Sequence, residues 1–176
     1  MNAKILIAGF GGQGILFAGK FLVYAGMIGG AEVSWLPSYG PEMRGGTANC
    51  SVIFSDSPIG SPIVDTPDIL VAMNLPSLDK FEPTVRPGGQ LFIDSALITR
   101  PANRSDIETH YIPATRLAEE LGLQGLANMI MIGRVLEKTG LCPPDIVTAA
   151  MKKVVPERKK ALLDKNLEAI ETGRKA

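Results

Sequence analysis

The sequence predicts an α/β fold, a Rossmann-like and mostly parallel sheet flanked by helices and closing on a helical C-terminus. Three observations carry this expectation. The stretch "KILIAGFGGQGILFAGK", Lys4 to Lys20, reads as an apolar strand, a glycine-packed turn and the first turns of a helix. Strand-like runs then alternate with helical spacings through most of the chain. After Gly140 only helical patterns remain. Such alternation is what crossover helices on a parallel sheet produce.

Ile5–Ala8 is a continuous apolar run bounded by glycine, as a strand covered on both faces requires. From Gly14 to about Gly29, Ile15, Ala18, Leu22, Ala25 and Met27 predict a helix, with Gly19 and Gly26 allowing close packing. Ala31–Leu36 is a second strand, which Pro37 ends. "PSYGPEMRGGTAN", Pro37 to Asn49, lacks apolar periodicity and reads as a long loop, a place where function concentrates. Cys50–Phe54, Ile69–Met73, Leu91–Asp94 and Thr109–Ile112 follow as strands. Pro76 starts a helix that Pro87 stops, and another begins near Pro113. Leu126, Met129, Ile130, Gly133 and Leu136 recur at helical spacing. Two amphipathic helices then start from Pro143 and Pro156, the second with Leu163, Leu167 and Ile170 on one face. Neither repeat nor linker interrupts the chain, so residues 1–176 are read as one domain.

Composition narrows the function. Apolar residues make up 45% and charged residues 20%, as expected of a globular chain. Lys+Arg and Asp+Glu both number 18, so net charge does not recommend a nucleic acid. The balance is uneven: residues 151–176 hold eight basic residues against four acidic ones, leaving ten against fourteen elsewhere. Such a basic helix reads as a solvated face or as a dock for an acidic partner. Cys50 and Cys142 are the two cysteines and His110 the one histidine, too few for an iron–sulfur cluster or a structural zinc site. Both thiols are expected to be reduced. Lys4–Ile7 leads straight into the glycine turn with no leader pattern, and no apolar run reaches a membrane span, so the expectation is a cytoplasmic protein.

Gly9, Gly11 and Gly14 fit G-x-G-x-x-G, in which one glycine permits the turn, one lets a ligand approach and one lets helix meet strand. The helix start that follows suits a phosphate or carboxylate. Gly12 and Gln13 extend the pattern, and Gln13 offers a side-chain amide to the crevice. A dinucleotide also needs an acid about 20 positions on, at the tip of the second strand. That strand ends "VSWLPSYG" with none. The fingerprint alone leaves open a free-standing nucleotide-binding protein.

Tyr39, Glu42 and Arg44 crowd one short loop flanked by Gly40, Pro41, Gly45 and Gly46. Arg44 can fork onto a carboxylate, a phosphate or a partner's acid, with Glu42 orienting it. In solvent the same pair is worth under about 1 kcal/mol. The loop is expected to leave the strand beside the glycine turn, so that both face one crevice. Ser34, Ser38 and Ser51 have only His110 as a conceivable base, in another segment, which argues against hydrolysis. His110 itself reads as a polar strand residue, Met129 and Met131 as core, Asn128 as a cap or inward hydrogen-bonding group, and Trp35 and Tyr39 as interface aromatics.

"GFGGQGILFAGK" and "WLPSYGPEMRGGTANCSVIFS", followed in order by "SPIVDTPDILVAMNLPSLDKF", "PGGQLFIDS" and "ANMIMIG", resemble the gamma subunit of the 2-oxoacid:ferredoxin oxidoreductases from about Ile5 to Gly133. The wording from Tyr39 to Asn49 is most similar to the 2-oxoglutarate type, with branched-chain 2-oxoacid versions close behind. The resemblance implies a Rossmann-like unit without a redox centre, inactive alone. It works beside alpha, beta and delta subunits that carry thiamine diphosphate and iron–sulfur clusters, in an enzyme that takes coenzyme A and passes electrons to ferredoxin. Gly9, Gly11, Gly12, Gln13, Gly14, Tyr39, Glu42, Arg44, Gly45 and Gly46 become the expected ligand or interface loops, with no catalytic residue and no metal. Alone, such a chain is expected to self-associate through its normally covered surface.

Overall fold

A computed structural model of the chain describes residues 2–38 and 47–176. Six strands form one sheet: β1 (Ala3–Phe10), β2 (Glu32–Ser38), β3 (Thr47–Ser55), β4 (Ile69–Ala72), β5 (Gln90–Asp94) and β6 (Glu108–Ile112), in the order β2-β3-β1-β4-β5-β6. β1/β4, β4/β5 and β5/β6 pair in parallel, whereas β1/β3 and β2/β3 are antiparallel. The helices are α1 (Ile15–Ile28), α2 (Leu75–Phe81), α3 (Ala114–Glu120), α4 (Ala127–Thr139), α5 (Pro144–Val154) and α6 (Lys160–Lys175). The α/β architecture, mostly parallel with a helical C-terminus, matches the expectation from sequence.

The core lies on both faces of the sheet. Ile5, Ile7, Cys50, Val52, Val71 and Phe92 face one layer with Ala18, Phe21 and Leu22 of α1 and buried residues of α3 to α6. Leu6, Leu70, Leu91 and Ile93 face the other with Leu78 of α2, Val85, Ile98 and Ile107. Met129 and Met131 are fully buried in the first layer.

Local chemistry sets the helix starts. Asn74 Oδ1 accepts from Ser77 N at 2.8 Å to cap α2, with Pro76 in the first turn. α3 is capped from another strand: the buried Asp94 carboxylate at the end of β5 accepts from Thr115 N and, at 2.6 Å, from Thr115 Oγ1. Pro156 is followed by a 3₁₀ turn, Glu157–Lys159, before α6 begins.

Two sequence readings change. Pro37 does not end β2, which continues to Ser38. β2 is at the edge of the sheet, with a ladder on one side alone, and edge strands are where proline is tolerated. The strand entering the 39–46 segment is also not beside β1. β3 lies between them, its Thr47 opposite Phe10 and its Asn49 opposite both Ala8 and Ser38. The strand leaving the segment is the one that borders the glycine turn.

Candidate functional site

The chain leaves β1 through α1 toward β2 and leaves β4 through α2 toward β5, on opposite faces of the sheet. Neighbouring strands whose connections diverge open a crevice at their carboxyl ends, where α/β sheets bind ligands. The glycine turn sits at that place.

Its geometry assigns the glycines differently from the fingerprint. Gly12 (φ 95°) and Gly14 (φ 73°) occupy the left-handed region, so they make the turn. Gly9 does not; it is still inside β1, and a Cβ there would lie 2.5 Å from Gln13 Oε1 and 3.1 Å from Met73 Cβ. Gln13 fills that space. Its Oε1 accepts from Phe10 N at 2.6 Å, and its Nε2 donates to the Met73 carbonyl at 2.9 Å. The amide that the sequence offers to the crevice thus ties the turn after β1 to the end of β4.

Asn128, at the start of α4, is the inward hydrogen-bonding residue. Its Nδ2 donates to the Gly14 carbonyl at 2.9 Å, and that carbonyl also accepts the first helical bond of α1, from Ala18 N at 3.0 Å. α1 has no acidic residue in its first turn and no side-chain cap, leaving its first N–H groups toward the crevice end of the sheet.

Beside the turn lies an open cleft of about 250 Å³, whose described lining includes Gly12, Gln13, Met73, Thr115, Glu119 and Gln124 and otherwise only glycine, alanine and leucine. No lysine or arginine is among these residues. The described cleft therefore suits an uncharged, partly apolar chain, and a phosphate there would depend on the α1 N-terminus. Sequence reading named only Gly12 and Gln13 of this lining. Thr115, Glu119 and Gln124 come from α3 and the turn after it, about a hundred positions away, and no local pattern marks them.

Tyr39, Glu42, Arg44, Gly45 and Gly46 lie outside the described residues. Their described flanks, Ser38 and Thr47, end at the same edge of the sheet as Phe10. Among the described residues no group of three or more His, Cys, Asp and Glu could hold a metal ion. None of the helices is long and apolar enough to cross a membrane, again among the described residues.

Comparison with known proteins decides the family. The model of the pyruvate ferredoxin/flavodoxin oxidoreductase family matches residues 4–176. The chain belongs to that family. Ketoisovalerate oxidoreductase subunit VorA of Methanothermobacter thermautotrophicus is 41% identical over 98% of the chain, which spans only 36% of VorA. 2-Oxoglutarate synthase subunit KorC of Methanothermobacter marburgensis is 38% identical over 99% of the chain and 96% of KorC. These relatives are subunits of 2-oxoacid oxidoreductases.

Two solved structures share the fold. The gamma subunit of a keto/oxoacid ferredoxin oxidoreductase from Geobacter sulfurreducens superposes with a TM-score of 0.83 at 28% identity, covering 98% of this chain and 96% of that one. The 2-oxoglutarate:ferredoxin oxidoreductase of Magnetococcus marinus, solved with 2-oxoglutarate, coenzyme A and succinyl-CoA bound, superposes at 0.89 with 24% identity. It covers 99% of this chain and 30% of that one. The same unit thus occurs both as a separate polypeptide and as about a third of a longer one.

Proposed function

We propose that this family member is the gamma subunit of a thiamine-diphosphate-dependent 2-oxoacid:ferredoxin oxidoreductase, with 2-oxoglutarate as the oxoacid. Such a complex decarboxylates the oxoacid oxidatively, releases an acyl-CoA and passes electrons to ferredoxin. The alpha, beta and delta chains carry thiamine diphosphate and the iron–sulfur clusters, and this chain is silent alone, self-associating when isolated and working in the cytoplasm. The observation that carries the reading is the end-to-end match to KorC, 99% of this chain and 96% of that one. VorA, slightly more identical, is nearly three times as long as the part it shares. Purified as its native complex and assayed with 2-oxoglutarate, 2-oxoisovalerate and pyruvate, the enzyme should turn over 2-oxoglutarate with the highest kcat/KM. A preference for 2-oxoisovalerate overturns the substrate assignment.

The chain's role within the complex is to line the coenzyme A route. Support comes from the glycine turn at the diverging strands, the cleft beside it, and the arginine-bearing segment whose flanks reach the same edge. Gly9, Gly11, Gly12, Gln13 and Gly14 shape the turn, while Tyr39, Glu42, Arg44, Gly45 and Gly46 meet the coenzyme or the partner chains. An assembled complex carrying Arg44→Ala should show a raised KM for coenzyme A with kcat little changed. Intact assembly with an unmoved KM assigns the segment to the subunit interface instead.

A further inference from the structure

The elbow between α5 and α6 carries charge that nothing described around it offsets. Lys152 and Lys153 end α5, Val155 and Pro156 turn the chain, and Arg158, Lys159 and Lys160 lead into α6. Five cations thus stand within nine residues against one acid, Glu157. All five are exposed. Among the described residues none of them forms an ion pair, whereas Arg86, Arg100, Arg104, Arg116 and Arg174 each meet a carboxylate. Asp164, one turn after Lys160, makes no ion pair with it.

This charge surrounds a concavity. Lys152, Val155, Pro156, Lys160 and Leu163 line a groove of about 330 Å³ in which Val155 is only 3% exposed. Two lysines therefore bracket a recessed apolar floor.

We propose that the elbow docks an acidic polypeptide segment, its carboxylates meeting Lys152 and Lys160 and one apolar side chain seated over Val155 and Leu163. Opposite charge steers and orients such a contact, and the apolar seat gives it a register. A nucleic acid fits less well, because no aromatic ring lines the groove to stack on a base and the chain as a whole has no net charge. A membrane surface fits less well because the apolar part is a recess, not a protruding anchor. The proposal rests on this chain's own charge and shape and does not depend on the gamma-subunit reading.

The test uses the full chain and a fluorescein-labelled peptide of glutamates flanking a central leucine, followed by fluorescence anisotropy at low salt. Binding should be saturable, weaken with added salt, and weaken further when the leucine is replaced by glutamate. The double variant Lys152→Glu/Lys160→Glu should lose about tenfold or more in affinity while melting like the parent. Lys138→Glu/Lys175→Glu, an equal charge change on exposed lysines elsewhere, should bind like the parent. Equal losses in both double variants, or no loss at the elbow, overturn the proposal. So does tighter binding of a short DNA duplex or of phosphatidylserine vesicles than of the peptide.

Discussion

Asn128 reaches across 114 positions of sequence to donate its side-chain amide to the carbonyl of Gly14. This bond holds the start of α4 against the turn between β1 and α1. Residue 14 favours glycine for its φ of 73°, and a Cβ there would in addition lie 2.5 Å from Asn128 Nδ2 and press on this bond. Removing the bond with Asn128→Ala should cost about 1 kcal/mol, the net worth of one such contact. Asn128→Asp should cost more, because it replaces the donor by a carboxylate facing a carbonyl oxygen. Urea unfolding of the two variants checks the order; an aspartate variant as stable as the alanine one would mean the donor does not matter.

The crossing of α4 and α6 depends on two glycines. A Cβ on Gly173 would overlap the Ile130 carbonyl oxygen, and one on Gly133 would overlap that of Ile170. Helix propensity alone favours alanine by about 1 kcal/mol. The obstacle here is backbone, which no rotamer can move aside, so overpacking wins and the helices must separate. Gly173→Ala should therefore destabilise the chain by about 2 kcal/mol or more in denaturant titration. A neutral or stabilising result would show that the two helices sit farther apart.

The strands and helices were largely legible because each is a local pattern: apolar runs such as Ile69–Ala72, and helical spacing from Leu126 to Leu136. The insertion of β3 between β1 and β2 was not. "NCSVIF" reads the same whether its strand runs parallel or antiparallel, and the order of strands is decided by packing between distant segments. The glycine turn was legible as a place, but its left-handed residues are Gly12 and Gly14 and not Gly9. For Asn128 the sequence leaves a cap and an inward hydrogen bond both open, and only the fold supplies its partner, the Gly14 carbonyl. Thr115 and Glu119 gave no signal, because only the fold brings them beside Gly12.

Both cysteines are free and buried. Burial pushes the Cys50 thiol up to about 12, against weaker opposing hydrogen bonds from Trp35 and the Gly19 backbone, and its Sγ donates to the Ile15 carbonyl at 3.5 Å. Cys142 is pushed up to about 11, again by burial, with Arg174 opposing. Thiolate is the reactive form, so both should be nearly inert in the folded chain. Iodoacetamide at pH 8 should label the native protein at least about a hundredfold more slowly than the urea-unfolded one, with two labels per unfolded chain by mass spectrometry. Rapid labelling of either site in the native protein would contradict the packing around it.

His110 gives the fold a mild acid sensitivity. Its ring stacks on Phe92 with centroids 4.5 Å apart, and its Nε2 lies 3.3 Å from Glu108 Oε1. The side chain is only 8% exposed. Burial lowers its pKa below the ordinary 6.5, Lys138 and Arg134 push the same way, and Glu108 opposes without prevailing. The unfolded chain therefore takes up a proton at a higher pH than the folded one. Stability from this residue is complete above about pH 6.5 and falls as pH drops toward the folded pKa, with a slope of at most about 1.4 kcal/mol per pH unit. His110→Gln removes that titration and leaves the carboxylates common to both proteins. Denaturant midpoints measured from pH 7.5 down to pH 5 should converge, the parent losing stability faster than the variant as the acid side is reached. Parallel curves over that range would mean that His110 titrates alike in the folded and unfolded chains.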